Sequence, residues 1–206
     1  MARAWQQSEV TEARQQTTEA LLDAAERLLF EVGYASVTTR RVAEEAGVRH
    51  GLVHYYFGSM EELLTQTLER FADRLVEPLA DLYADPSLDF AEKWRIGAQF
   101  FVDEPTVRFP KILLELSALC WNSPPLRSRI ANVHARFRAI FEPTVAQALR
   151  DYGLEDPRFP LTAVVALLTS FQLGLVVERL SGVETGHAEL LGSIQDWLDT
   201  LESSRG

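Results

Sequence analysis

The sequence predicts an all-α protein of about nine helices, and three observations support this. Proline and glycine recur at intervals typical of the breaks between helices, and no alternating polar and apolar run is long enough to indicate a strand. The chain is 47% hydrophobic and 24% charged, which is typical of a globular protein. A chain of this length buries about 70% of its unfolded surface, so it can fold without disulfides or a metal.

The first four helices are predicted from apolar spacing and from end signals. Apolar residues between Leu21 and Val32 are spaced by three or four positions, which places them on one face of a helix. Thr17 suits the N-cap of this helix, Gly33 suits its end, and Ser59 suits the N-cap of the fourth helix. We expect a polar, frayed arm and then four helices at residues 1–16, 17–32, 39–46, 49–57 and 60–83 respectively.

Five further helices are predicted, separated by proline and glycine. Ser123 and Pro124 follow the clearest break in the chain, with serine suited to an N-cap and proline to the first helical position. Pro143 should kink the helix that follows, because its ring displaces the carbonyl one turn back. We expect these helices at residues 90–102, 107–119, 124–152, 160–180 and 187–201.

The predicted helices form two domains. A short N-terminal domain takes residues 1–60, and a larger domain takes residues 61–206, with no flexible linker between them. The larger domain contains 19 successive residues without a formal charge, at 159–177, close to the length that spans a bilayer. Polar residues interrupt this segment and no second one accompanies it. We therefore interpret it as a helix of a helical core or of a dimer interface, and expect no membrane contact.

The most informative segment is residues 33–63. It predicts two short helices joined by a tight turn at residues 46–48, with Val42, Val53 and Phe57 among the side chains that pack inward. This is the helix-turn-helix arrangement, in which the second helix enters the major groove of DNA.

Over residues 17–64 the chain resembles the tetracycline-repressor (TetR) family of bacterial transcriptional regulators. The resemblance depends on five short motifs: Gly33-Tyr34, Thr38-Thr39, Ala43 with Ala46-Gly47-Val48, the run at 51–57, and Glu62-Leu63-Leu64. Beyond residue 70 only the number and length of the helices match. The resemblance implies an N-terminal DNA-binding domain followed by a domain for ligand binding and dimerisation.

The expected DNA contacts follow from this resemblance and from the residue types. Hydroxyls and free amides at the start of the second helix suit a phosphate, and Arg40 is placed where family members reach a base, with the geometry to read guanine. The predicted DNA-binding residues are Thr38, Thr39, Arg40, Arg49, His50, Gly51, Leu52, Tyr55 and Tyr56. Gly51 is expected to let the backbone approach DNA closely.

The charge of the chain qualifies this expectation. The net charge of −10 argues against nucleic-acid binding by the chain as a whole, whereas residues 38–58 carry a net charge of +1. Glu44 and Glu45 are expected to face away from DNA. Two positions depart from the family pattern: Met60 replaces a usual lysine, and His54 replaces a usual tyrosine and is interpreted as a partly buried packing residue.

The sequence contains no catalytic or metal-binding pattern. Cys120 is the single cysteine, which excludes an internal disulfide and a multi-cysteine zinc site and is typical of a protein from the reducing cytoplasm. The histidines lack metal-ligand spacing, and no glycine-rich phosphate loop is present. We expect no enzyme, no metal and no cofactor.

The larger domain is expected to bind a small-molecule effector, as the resemblance implies. Large apolar side chains crowd the predicted fifth to eighth helices, although most are expected to be ordinary core residues. Polar residues amid apolar stretches are better candidates, because a buried polar group needs a partner. We expect a mostly apolar effector, with the candidate contacts Phe100, Phe109, Leu116, Trp121, Asn122, His134, Phe137, Phe141, Phe171 and Gln172.

The last two helices are expected to form a homodimer interface, because the helix from Pro160 is apolar nearly all round. A two-fold dimer places its recognition helices about 34 to 36 Å apart and reads a palindromic operator. The sequence thus predicts a cytoplasmic repressor released by its effector. Two alternatives remain: a regulator controlled by a partner protein or acting constitutively, and a binding module of the same fold that has lost specific DNA recognition.

Overall fold

A computed structural model describes the backbone at residues 2–100 and 104–204, and the side chains at residues 11–98 and 108–204. Within these ranges the chain forms nine α-helices and one 3-10 turn, Tyr34–Ser36, with no strand. The predicted all-α fold is therefore confirmed. The helices are α1 Ala2–Val32, α2 Thr39–Glu45, α3 Gly51–Phe57, α4 Met60–Ala84, α5 Phe90–Phe100, α6 Glu104–Leu119, α7 Pro124–Asp151, α8 Leu161–Leu180 and α9 His187–Ser203.

The expected start of the first helix is wrong, because α1 is already helical at Ala2. The segment before Thr17 contains no glycine or proline and is rich in Ala, Gln, Glu and Arg, which favour helices. The Thr17 hydroxyl does not cap the helix. It donates to the Ala13 carbonyl, 2.9 Å away, as a threonine does inside a helix.

Several other predicted ends are confirmed by their caps. The Ser59 hydroxyl accepts from the Glu62 amide (3.0 Å), and the Ser123 hydroxyl accepts from the Leu126 amide (3.4 Å). Gly186 precedes α9 with φ of 83°, a left-handed conformation that favours glycine. The expected start of the third helix is wrong by two residues, since α3 begins at Gly51.

The helices after α4 also differ from prediction at their ends. Helix α5 spans Phe90–Phe100, and its predicted last residues, 101–102, lie outside the described residues. Helix α6 is already helical at Glu104, three residues earlier than expected. The expected break at residues 104–105 is wrong. Amides in the first turn of a helix have no partner within the helix, so a proline there costs no hydrogen bond. Helix α7 continues past Pro143 to Asp151, and the kink at that proline stays a prediction.

The chain divides into two compact units, Met1–Phe71 with Ile112–Ile130, and Ala72–Lys111 with Ala131–Gly206. This division differs from the predicted domains, because residues 61–71 and 112–130 belong to the first unit. The functional division at residue 60 stays a prediction. Buried apolar residues of the first unit come from α1 to α4, α6 and α7, and include Leu21, Leu28, Leu29, Val42, Val53, Phe57, Leu63, Leu64, Leu68, Leu116 and Leu126.

Two arginines link helices within the first unit. Arg70 on α4 pairs with three carboxylates of α1, those of Glu19, Asp23 and Glu26, at 2.7 to 3.2 Å. Arg129 on α7 pairs with two carboxylates of α4. Its Nε donates to Glu69, 2.8 Å away, while its terminal groups bond Glu69 and Glu62. The planar, bidentate contact with Glu69 is the geometry that arginine makes best.

The second unit contains two apolar clusters. One is centred on Leu79, Tyr83, Phe141, Val145 and Val165, with the Tyr83 and Phe141 rings packed edge to face at 4.8 Å. Burial raises the pKa of the Tyr83 hydroxyl. The other joins α5 to α9 through Ala91, Trp94 and Leu198. Among the described residues, α8 is the one helix with the length and apolar composition of a membrane span.

The ion pairs of Arg129 on α7 provide a first prediction. Arg129→Met should lower the free energy of unfolding near neutral pH by about 1 kcal/mol, the upper end for partly exposed ion pairs. Hydrogen bonds from Gln66 and Arg129 lower the pKa of Glu62 from its ordinary value of 4.5. This contribution is therefore present above pH 4.5 and is lost as the pH falls through the lowered folded-state pKa of Glu62.

Urea unfolding followed by circular dichroism between about pH 3 and about pH 7 measures this effect. The exposed Arg138 on the same helix provides the control Arg138→Met, which should match wild type. A gap between Arg129→Met and wild type that persists undiminished at the acid end would contradict the prediction.

Candidate nucleic-acid interface

The turn between α2 and α3 is fixed by backbone hydrogen bonds. The Gly47 amide donates to the Glu44 carbonyl (3.2 Å), and the Val48 amide donates to the Ala43 carbonyl (2.9 Å). Gly47 adopts φ of 68°, which an L side chain rarely tolerates. Helices α1 and α2 are in contact, as are α2 and α3. The predicted helix-turn-helix is therefore present.

The two short helices each have a buried and an exposed side. Val42 and Ala43 of α2 and Val53 and Phe57 of α3 are buried, as the sequence predicts. The opposite sides carry the predicted DNA-binding residues. Of these, Thr38, Arg40, Arg49, His50, Gly51 and Tyr55 are exposed, and Thr39, Leu52 and Tyr56 are half-buried.

Thr38 and Arg41 define the start of α2. The Thr38 hydroxyl accepts a hydrogen bond from the Arg41 amide at 3.2 Å, so it caps the helix. The guanidinium of Arg41 turns back and donates to the Ser36 carbonyl at 3.1 Å. Arg41 therefore supports the loop before α2 as well as adding positive charge.

Arg40 is the most prominent cation of this surface, with 83% of its side chain exposed. Its Nε donates to Glu44 at 2.8 Å, and this hydrogen bond raises the pKa of Arg40. The expectation that Glu44 faces away from this surface is therefore wrong. Glu45 pairs with Arg27 of α1, and its orientation relative to DNA stays a prediction. Glu44 holds Arg40 by one edge and leaves the fork of two terminal nitrogens available for an acceptor.

The residues at the start of α3 are accessible from outside the protein. The carbonyl of Arg49 accepts from the Leu52 amide at 2.9 Å, and both Arg49 and His50 are exposed. No atom lies within 4 Å of the position that a Cβ on Gly51 would occupy. A phosphate backbone could therefore approach here, although Gly51 itself has no positive φ.

Two tyrosines form the far side of the same surface. The rings of Tyr55 and Tyr56 pack edge to face with centroids 5.1 Å apart, and Tyr55 is 72% exposed. The guanidinium of Arg14 lies 5.8 Å from the centre of the Tyr56 ring. Sequence reasoning missed Arg14 because it assigned residues 1–16 to a frayed arm.

The two departures from the family pattern are also resolved. His54 is exposed, and its Nδ1 lies 3.2 Å from the Gly58 carbonyl at the end of α3. The interpretation of His54 as a partly buried packing residue is therefore wrong. Met60 is the first residue of α4 and is half-buried, so it contributes no cation to this surface.

The predicted effector contacts are divided between the two units. In the first unit, Leu116 is buried while Trp121 and Asn122 are exposed. In the second unit, the Phe109 and Phe137 rings lie 5.1 Å apart, and Phe141 is a core residue.

The remaining candidates are a histidine and three residues of α5 and α8. Burial lowers the pKa of His134. Phe171 and Gln172 line a cavity of about 330 Å³ together with Trp94 and His187. The predicted contact Phe100 lies outside the side chains that the structure describes, and effector contact by this set stays a prediction. Within the described ranges, no group of three or more His, Cys, Asp or Glu residues is placed to hold a metal ion.

Comparison with known proteins identifies the helix-turn-helix. The sequence model of the tetR family of bacterial regulatory proteins matches residues 21–67. Residues 21–67 therefore match the TetR family in sequence. The regulator BetI of Rhizobium meliloti (strain 1021) is 43% identical over 56 residues, and BetI of Agrobacterium fabrum is 47% identical over 49 residues. These matches span only 28% and 24% of the respective relatives, and 27% and 24% of this chain.

Solved structures extend the likeness to most of the chain. A TetR transcription regulator from Haloarcula marismortui superposes with a TM-score of 0.69 at 20% identity, covering 92% of this chain and 98% of that one. NemR from E. coli, in its reduced form, superposes with a TM-score of 0.70 at 19% identity, covering 87% and 96%. At these identities the likeness establishes the TetR fold, including the helices after α4.

The N-cap of α2 gives a second prediction. Thr38→Ala removes the acceptor for the Arg41 amide and should lower the free energy of unfolding by about 1 kcal/mol. Thr38→Ser keeps a hydroxyl in the same place and should remain close to wild type. Urea titration of all three proteins measures the difference, and an alanine variant as stable as the serine variant would show that the cap contributes nothing.

Proposed function

We propose that this TetR-family chain is a DNA-binding transcriptional regulator that acts as a homodimer in the cytoplasm. One observation supports this above the others: the exposed sides of α2 and α3, with the turn between them, carry Arg40, Arg49 and Tyr55, all of them exposed. Arg40 presents its terminal nitrogens, and Arg14 lies over Tyr56. Arginine forks suit guanine in the major groove, and exposed tyrosines suit phosphates and thymine methyls.

The acidic chain is compatible with this function because its charges are unevenly placed. Glu62 and Glu69 pair with Arg129, and three carboxylates of α1 pair with Arg70. Residues 38–58 meanwhile carry a net charge of +1. A single copy of such a surface binds DNA weakly, so we infer that affinity comes from two copies and falls steeply with salt.

A homodimer through α8 and α9 is supported by their exposed apolar side chains. Leu167 on α8 is 67% exposed and Trp197 on α9 is 52% exposed, and both line an entirely apolar groove. Further exposed apolar residues of the two helices are Val177, Leu180 and Leu190. A patch of this kind marks an interaction surface. A second copy of the chain would cover it by two-fold symmetry, and such a dimer would read a palindromic operator.

The second unit is the proposed effector-binding part, and we propose that the chain acts as a repressor released by a mostly apolar small molecule. Helices α4, α6 and α7 each contribute residues to both units. A shift that a ligand causes in one of these helices within the second unit would therefore be passed along the same helix to the first. If effector and operator oppose each other, each must weaken the binding of the other by the same factor. The alternative, a module that has lost DNA recognition, is favoured only by the net acidity and by Met60.

The operator test decides between these functions and gives a third prediction. Genomic fragments selected by the purified protein over a salt series should contain a palindromic site. Arg40→Ala should weaken binding to this site by about 1 to 3 kcal/mol and relax specificity at one position of each half-site. Fluorescence anisotropy measures the affinity, with Arg150→Ala as a control on the exposed surface of α7. Weak, sequence-independent binding alone would favour the module without DNA recognition.

The dimer surface gives a fourth prediction. Trp197→Glu should make the protein monomeric, because it places a carboxylate in an apolar interface. Trp121→Glu is the matched control, since Trp121 is an exposed tryptophan of the first unit. Sedimentation equilibrium reports the mass. Unchanged dimerisation of Trp197→Glu, or loss of dimerisation in both variants, would contradict this interface.

A further inference from the structure

A second-unit cleft lies among the end of α4, the start of α5 and the middle of α7. Its volume is about 500 Å³, within the range of small-molecule sites. Apolar groups, including those of Phe90 and Ile140, form much of the lining, and Lys93 and Thr144 are among the polar residues. None of the predicted effector contacts lines this cleft.

Lys93 is an unusual residue for such a place, because only 9% of it is exposed. Its Nζ donates to the Tyr83 carbonyl at 3.0 Å, and the Thr144 hydroxyl donates to the same carbonyl at 2.9 Å. These contacts satisfy the end of α4, where carbonyls lack helical partners. They occupy one of the three N–H donors of the ammonium group.

No carboxylate of the described residues forms an ion pair with this ammonium group. Asp85 is close enough for Lys93 to contribute to the lowering of its pKa, but hydrogen bonds from Ser87 are the main cause. A buried charge is costly unless it is paired with an opposite charge. The Lys93 ammonium therefore has unused capacity for an anion at this position.

The acidic residues of the cleft already have donors of their own. Asp89 accepts from the Glu92 amide at 2.7 Å and caps α5, while Asp151 accepts from the Gln147 side chain at 2.7 Å. The Tyr152 hydroxyl donates to Glu202. Lys93 is thus the one cation among the residues that line the cleft, and a ligand would place its negative end there, away from the two aspartates.

We propose that this cleft binds a small carboxylate with an apolar body, and that Lys93 binds the carboxylate group. The carboxylate accepts from the free N–H donors of Lys93, while the apolar body lies against Phe90 and Ile140. This inference rests on the proposed function, since it names the chemical class of the effector. Charge-assisted hydrogen bonds in a desolvated place are the stronger ones, so the negative charge should decide which molecules bind.

Calorimetric titration of the purified full-length chain tests the inference with octanoate and phenylacetate, each compared with its primary amide. Wild type should bind each carboxylate more tightly than its amide, by about 10- to 100-fold. Lys93→Met should lose this preference. Lys93→Gln, which keeps a donor for the Tyr83 carbonyl, should lose it as well, and circular dichroism verifies the fold of both variants.

Lys111→Met is the matched control, because Lys111 is the only other lysine in the chain, and it should keep the preference. Wild type that binds neither carboxylate more tightly than its amide overturns the inference. So does a folded Lys93 variant that retains the wild-type preference.

Operator binding, measured separately without ligand, keeps the two proposals apart. If the protein prefers carboxylates through Lys93 but binds no operator, the carboxylate site is supported and the proposed regulator function is overturned. If the protein binds an operator but shows no carboxylate preference, the carboxylate site is overturned and the proposed regulator function stands.

Discussion

The candidate DNA-binding surface depends on the burial of two very short helices in the core of the first unit. Helices α2 and α3 have seven residues each, and isolated helices of that length are not stable in water. Their buried residues, among them Val42, Val53 and Phe57, belong to the apolar core of the first unit, and α2 contacts both α1 and α3. Gly47 supplies the turn that lets both helices reach this core. Because the backbone is held from inside, the outer faces are free to carry polar groups for recognition.

In the first unit, ion pairing distinguishes the structural arginines from Arg40, the proposed recognition arginine. Arg70 and Arg129 are surrounded by carboxylates and join helices, so part of the acidity of the chain stabilises its own fold. Arg40 has one carboxylate partner, Glu44, which contacts only its Nε. A guanidinium held at one edge has fewer orientations to lose on binding a base, and this limits the entropic cost of recognition.

The second unit has two surfaces that its own fold leaves incomplete. The apolar sides of α8 and α9 leave Leu167 and Trp197 in water, and Lys93 lies buried without a carboxylate. A second copy of the chain would cover the first surface, and an anionic ligand would complete the second. Both would stabilise the folded protein by mass action, so the proposed dimerisation and effector binding would be coupled to stability.

The sequence by itself determined the helix count, the caps at Thr38 and Ser59, and the helix-turn-helix, because these depend on hydrogen bonds and apolar spacing within a few residues. Only the tertiary structure placed Arg14 over Tyr56 and buried Lys93 beside the Tyr83 carbonyl. The surroundings of these side chains are supplied by helices distant in the chain. The local sequence pattern does not encode which distant helices pack together, so these surroundings are decided by tertiary packing.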